Sequence, residues 1–390
     1  MNLRKTLSFF YHLIKGAIQY PLRDRWHVVC DYLKLYRHKG LDFDEYYNFA
    51  FEERSEAFKE DFLALNEQRF YLDLLNPQKY YILARNKYFA HKIMENGGIR
   101  KPELYAYYHP GCRCKGNEMA GNAEELCGIL QEKKVSKCVV KTTESSHGDN
   151  VTVITSIEYK DREALLHLYN GTICKLSCFI GKEPLLFESL VEQTEQMNAL
   201  NATSVNTVRF MTALYPDGEA RLIATFIKIG RAGKCVDNAG AGGNVDACVD
   251  TETGTLQYAI QYDGWRNIRN IDSHPDSKSP INGITIENWD IIKKEVLRFQ
   301  QAFPYIKAAG WDIAITEQGP VAIEVNDMWD RTGQYFIRRG WRPEIRDCYL
   351  AWKKEGCTCD FGRNRSRLPQ WHLNKIVAHP NFNENIVTHS

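Results

Sequence analysis

The sequence lacks an excess of charge of either sign: 50 Lys and Arg stand against 49 Asp and Glu, a net charge of +1 over 390 residues. Binding along a phosphate backbone draws on a marked surplus of Lys and Arg in at least one domain, so the balance argues against a dedicated DNA or RNA binder. Long hydrophobic runs are missing too. A spanning helix needs roughly 20 apolar residues in a row. The basic, apolar opening MNLRKTLSFFYHLIKGAIQY is interrupted by His12 and Lys15, and no small-residue cleavage site follows it, so it reads as neither span nor secretory signal. Repeats, low-complexity stretches and the CxxC spacing of common zinc sites are also absent. The twelve cysteines are scattered over a long chain, which fits free thiols in a reducing, cytoplasmic compartment better than a disulfide scaffold. Two CxC pairs, Cys112/Cys114 and Cys357/Cys359, leave a structural zinc open.

What is present is an ordinary folded composition, 44% hydrophobic and 25% charged, at a length that accommodates two or three domains. Residues 1–75 carry apolar side chains at spacings of three and four, for example Phe9, Leu13, Ile14 and Ile18, and predict several short helices. Arg4, Lys5, Lys15, Arg23 and Arg25 stand beside Phe9, Phe10 and Tyr11 there. That mixture suits either packing on the main body or contact with an anionic membrane surface. A helix carrying Lys87 and ending at Gly97-Gly98 is expected next. Strand-like runs follow at 137–141, 151–156, 171–179, 185–190, 207–215, 220–229 and 310–326, with helical patterns at 162–169 and 288–303. The expected class is α+β with largely antiparallel sheets. The boundaries read as a helical region 1–75, lobes 76–195 and 196–345, and an irregular tail 346–390 packed on the surface.

The most informative segment is WDIAITEQGPVAIEVN, residues 311–326, two strands joined by Glu317-Gln318-Gly319. Pairing Thr316 with Pro320 sets Asp312 opposite Glu324. Period-two alternation then gathers Asp312, Ala314, Thr316, Ala322, Glu324 and Asn326 on one face and Ile313, Ile315, Val321, Ile323 and Val325 on the other. Opposed like charges destabilise a sheet, so something positive belongs between the two carboxylates. Magnesium suits such hard oxygen donors and completes its shell with waters and substrate phosphates. A solvated edge hairpin is the competing reading.

Upstream, Lys141 ends the apolar run KCVVK and precedes the polar loop TTESSHGDN. A turn of small residues between strands can cradle phosphates with its backbone N–H groups, although the P-loop signature is absent and a plain hairpin loop fits equally. Arg209 lies on the strand NTVRFMTALY, with Lys228 and Arg231 on the next strand and its exit. Beside a magnesium site such cations would stabilise a transferring phosphoryl group, and each alone also fits a surface ion pair.

In order and wording NKYFAHKIM, VVKTTESSHGDN, LLFESLVEQ, SVNTVRFMT, IGRAGKCVDNAGAGGNVDACVD and WDIAITEQGPVAIEVND resemble the ATP-grasp superfamily, most closely its sugar-transfer-associated branch. The resemblance implies two α+β lobes clasping ATP behind a helical N-terminal region. It implies that Lys87 and Lys141 reach phosphates, that Ser145, Ser146 and Gly148 belong to a closing lid, and that Glu188, Leu190, Val191 and Glu195 border the base and ribose. Asp312, Glu324 and Asn326 match magnesium ligands, while Arg209, Lys228 and Arg231 match positions holding the γ-phosphate and an acyl phosphate. The implied activity is a carboxylate–amine ligase acting on a carboxylated sugar or glycan precursor. A phosphotransferase on the same fold, or a non-catalytic nucleotide-binding assembly protein at the inner membrane face, are the alternatives.

Overall fold

The computed structural model describes residues 13–14, 16–112, 118–144, 151–234, 245–263 and 267–357. Fourteen strands among them form two seven-stranded sheets. The first contains β1 Leu104–Tyr108, β2 Met119–Ala120, β3 Cys138–Thr142, β4 Val151–Lys160, β5 Glu163–Leu168, β6 Ile173–Lys175 and β7 Leu185–Glu188, in the order β2-β1-β7-β3-β4-β5-β6. The second contains β8 Thr207–Leu214, β9 Ala220–Ile229, β10 Val245–Val249, β11 Leu256–Tyr262, β12 Ile268–Asn270, β13 Ala308–Thr316 and β14 Gly319–Asn326, in the order β12-β11-β10-β9-β8-β13-β14. Every pairing is antiparallel except β1 with β2.

The second sheet is covered on both faces. Alternation sends Val208 and Phe210 of β8 and Trp311, Ile313 and Ile315 of β13 to one side. There they meet Trp289, Ile292, Val296 and Phe299, spaced three and four apart along the helix Trp289–Gln301. Met211, Ala213, Ala224 and Phe226 face the other way, against Tyr71, Leu72 and Leu75 of the helix Leu65–Leu75 and Ile345, Cys348 and Tyr349 of the helix Arg342–Lys354. Arg209, Asp312, Lys228 and Asp246 gather toward one end of this second face.

The N-terminal helices pack around an aromatic cluster that includes Tyr32, Tyr46, Phe49, Phe51 and Phe62. Polar side chains fasten them to the sheet. Buried Asn76 donates through Nδ2 to the carbonyls of Ala308 and Asp327, both at 2.6 Å, and accepts the Ala308 N–H at 2.9 Å. One amide thus spans the start of β13 and the exit of β14. Asn76→Ala strands one donor and two carbonyls in the interior, and an expected loss of about 2–4 kcal/mol in urea unfolding follows; a loss under about 0.5 kcal/mol would contradict this anchoring.

Several expectations are corrected. Residues 162–169 hold strand β5 instead of a helix. The apolar residues there fit both periods, and the tight turn at Asp161 (φ 56°) resolves the choice by setting Lys160 against Glu163. The run 171–179 divides into β6 and a helical turn Leu176–Phe179. The tail expected to be irregular from 346 begins inside the helix Arg342–Lys354, whose Arg342 lies 2.7 Å from buried Glu67. In the hairpin, Ile315 pairs with Pro320 and Thr316 with Gly319, one residue away from the expected register, and a bulge at Ile323 restores Asp312 opposite Glu324. The bulge also reassigns faces. Ala322 pairs with Ile313 and joins the core, whereas Val321 takes its place opposite Ala314.

Candidate functional site

Arg209 and Asp312 are directly opposed across β8 and β13. The guanidinium grips the carboxylate with two bonds, Nε to Oδ1 at 2.6 Å and Nη2 to Oδ2 at 2.9 Å, the planar fork that lysine cannot reproduce. Lys228 on β9 adds a third cationic contact, its Nζ 3.1 Å from the same Oδ1. All three side chains are largely buried. Burial alone raises the Asp312 carboxyl, but Arg209 and Lys228 outweigh it and hold the group down at about 2. Gly310 leaves room for this arrangement, since a Cβ there would stand 3.4 Å from Arg209 Cδ and Nη1.

Glu324, the partner of Asp312 on β14, is the more open carboxylate at 31% side-chain exposure, and Lys87 Nζ lies 3.3 Å from its Oε1. The positive charge demanded by two opposed carboxylates therefore comes in part from the protein's own Lys87, Arg209 and Lys228. Asn326, two residues on, donates its Nδ2 to the Gly310 carbonyl at 3.4 Å, so that its nitrogen, and not its Oδ1, is turned to the backbone.

The first sheet supplies the facing cations. Lys141 near the end of β3 reaches Glu188 at the end of β7, Nζ to Oε2 2.8 Å, both nearly buried. Burial works against the Lys141 charge, but Glu188 offsets it, and Glu324 adds to that, so its pKa rises above the ordinary lysine value. The field of Glu324 thus reaches Lys141 as well as Lys87. Lys87 begins the helix Lys87–Asn96, capped by the Asn86 side chain, and its backbone N–H donates to Thr143 at 2.9 Å. Residues 145–150, with the expected lid positions Ser145, Ser146 and Gly148, lie outside the described residues.

Residues 189–194 cross from one sheet to the other without regular structure. Ser189 N–H bonds to Glu103 beside the first sheet, and Thr194 N–H to Ile315 of the second, each at 2.9 Å. Leu190 and Val191 are half-buried along this crossing, while Glu195 is exposed at the start of the helix Glu195–Leu200. Arg231 differs from the other predicted cations. Its guanidinium is bidentate on Asp276 at 2.7 and 2.9 Å, and Ala232 N–H donates to the same carboxylate, which sits well below its usual range. The structure therefore builds Arg231 into the loop at 274–276 and not into the Arg209–Asp312 group. Of the CxC pairs, Cys112 and Cys357 are free thiols, and their partners Cys114 and Cys359 lie outside the described residues.

Two features escaped the sequence reading. Asp246 on β10 is buried and directly opposed to Lys228, extending the charged row one strand further. Its signal was legible: the apolar alternation Val245, Ala247 and Val249 leaves one acid on the other face. Arg85 forms a second fork, on Asp327 at 2.8 and 3.0 Å, immediately after Asn326. No local pattern links residues so distant in sequence.

A sequence model of the sugar-transfer associated ATP-grasp family matches residues 66–347. Among solved structures, the chain is similar to N5-carboxyaminoimidazole ribonucleotide synthetase from Thermotoga maritima, with 14% identity and a TM-score of 0.38 over 71% of this chain and 52% of that one. It is similar to phosphoribosylamine–glycine ligase from the same organism, at 10% identity and a TM-score of 0.41 over 74% and 58% of the two chains. D-alanine–D-alanine ligase from Bacillus anthracis gives 12% identity and a TM-score of 0.38, over 70% of each chain. The chain thus spans little more than half the length of the two Thermotoga enzymes. No curated protein sequence matches it.

Proposed function

Since the chain belongs to the sugar-transfer-associated ATP-grasp family and has its two-sheet fold behind a helical N-terminal region, we propose that it is an ATP-dependent carboxylate–amine ligase. In this reading a carboxylate attacks the γ-phosphate of ATP, and an amine then displaces phosphate from the acyl phosphate to leave an amide. In this reading the substrates are a carboxylated sugar or glycan precursor and an amino acid or related amine, in polysaccharide synthesis, with the sugar-transfer association in the family's name as support for the sugar.

The observation that carries this reading is the row of ion pairs Lys87–Glu324, Lys141–Glu188, and Arg209 and Lys228 on Asp312. In this reading Lys87 and Lys141 bind nucleotide phosphates. Arg209 is held on Asp312 by a two-bond fork. The buried carboxylate orients the guanidinium before substrate arrives, so little reorganisation is needed when anionic charge builds on the transferring group. Residues 189–194 would offer backbone groups to the base.

Oxygen donors suit magnesium. Glu324 and Asn326 would hold it, whereas both oxygens of Asp312, the third expected ligand, are taken by Arg209 and Lys228 in this structure, and waters and phosphates would complete its shell. The bound ion would neutralise phosphate charge.

Purified protein incubated with Mg·ATP and amino acids crossed with uronic acids is expected to release ADP and phosphate only when both substrates are present, with an amide product by mass spectrometry. A phosphoester formed without any amine would refute ligation in favour of phosphotransfer. Lys141→Met should weaken ATP binding at least about tenfold by loss of a desolvated phosphate contact; unchanged affinity in calorimetry would remove Lys141 from the site.

A further inference from the structure

The segment at residues 13–39 carries apolar side chains in two directions. Leu13, Tyr20, Val28, Tyr32 and Leu35 enter the aromatic core. Ile14, Ile18, Leu22, Trp26 and Leu33 remain outside, at 59, 58, 82, 77 and 39% exposure. These are five of the twelve exposed large apolar side chains among the described residues, and they fall within twenty positions. Isolated exposed leucines are normal on any surface, but such a concentration is not.

Local geometry draws the outward residues together. Ile18 N–H donates to the Ile14 carbonyl at 3.0 Å, which puts both isoleucines on one helical turn. Trp26, Cys30 and Leu33 follow at spacings of four and three on the outer side of the helix Arg25–Lys39. Arg25 joins the two parts, donating from Nε to Tyr20 O at 3.0 Å and from Nη2 to Ile18 O at 3.1 Å. Charge is equally concentrated. Residues 1–39 contain eight Lys and Arg but only two Asp, a local +6, and the rest of a chain of net +1 therefore carries −5.

We propose that this face docks on an anionic lipid bilayer, with Leu22 and Trp26 entering the headgroup region and Arg23, Lys34 and Arg37 at the level of the phosphates. Apolar insertion and basic attraction are each weak alone and together give stable peripheral binding. The same basic residues disfavour a second copy as occupant, because a two-fold dimer through this face would oppose Arg23, Lys34 and Arg37 with their own copies. No described helix is long and apolar enough to cross a membrane, so the contact is one of surface attachment. The inference is independent of the chemistry assigned to the active site.

The test is cosedimentation of the full chain with vesicles of phosphatidylcholine alone or with about 30% phosphatidylserine. Binding is expected only to the anionic vesicles, falling with added salt. Leu22→Asp with Trp26→Asp, and separately Lys34→Glu with Arg37→Glu, should each reduce partitioning at least about tenfold. ATP binding without lipid should stay unchanged in both variants, and both should remain folded by circular dichroism, Lys34→Glu losing only an exposed ion pair with Glu56. Wild-type protein that ignores phosphatidylserine, or variants that bind like wild type, would overturn the proposal. So would a wild-type dimer that Leu22→Asp with Trp26→Asp converts to monomer, which would assign the face to a second copy.

Discussion

Glu324→Gln is expected to lower Mg·ATP-dependent ADP release by about 10²–10³-fold while leaving the protein folded. Both parts of that expectation follow from the position of the side chain. Glu324 is the open member of the carboxylate pair, and Lys87, 3.3 Å away, is its ion-pair partner. Replacing the carboxylate by an amide of the same shape therefore disturbs little packing and keeps an acceptor oxygen within reach of Lys87. It does remove the anionic oxygen proposed to face magnesium, and it lowers the negative potential at Lys141. Activity within a few-fold of wild type would show that Glu324 is merely a counter-ion for Lys87.

Asp312→Asn should behave differently, losing activity and also about 3–5 kcal/mol of stability in urea unfolding. Asp312 compensates two cations in a site from which water is largely excluded. Without it Arg209 and Lys228 remain buried and lose the counter-charge they share. Lost activity in this variant alone is consequently ambiguous, and the contrast with Glu324→Gln separates support from chemistry. The pH dependence has a definite sign. The folded pKa of about 2 lies below the ordinary 3.8, so the stabilisation from ionised Asp312 is fully present above about pH 4 and disappears as pH falls through about 2. Urea unfolding between pH 5 and 8 should show no titration from this group, and one that vanishes in Asp312→Asn would contradict the assignment.

Some of this was legible in the chain because it depends on local pattern. The hairpin 311–326 announces itself by alternation and a Gly turn, and the facing of Asp312 and Glu324 is present in the structure. Yet that pairing is reached through a bulge at Ile323 that alternation cannot foresee, since one inserted residue costs the ladder little and leaves composition unchanged. The helix Trp289–Gln301 was equally readable from its apolar stripe. Residues 162–169 were not, because Ala164, Leu165, Leu166 and Leu168 satisfy helical and strand periods alike until the turn at Asp161 is known. Arg231 shows a further limit. A basic residue at a strand exit looks the same in sequence whether it faces phosphate or, as here, the carboxylate of Asp276 forty-five residues away. Asp246 and the Arg85–Asp327 fork depend on tertiary proximity between distant segments.

The central claim is that Glu324 and Asn326 hold a divalent ion against nucleotide phosphates gripped by Lys87 and Lys141. Calorimetric titration of ATP, with magnesium and with EDTA, into wild type, Glu324→Gln and Asn326→Ala tests it most directly. Magnesium is expected to tighten ATP binding to the wild type at least about tenfold, and this gain to be lost in both variants. Equal magnesium enhancement in all three proteins, or no ATP binding by the wild type, would contradict it.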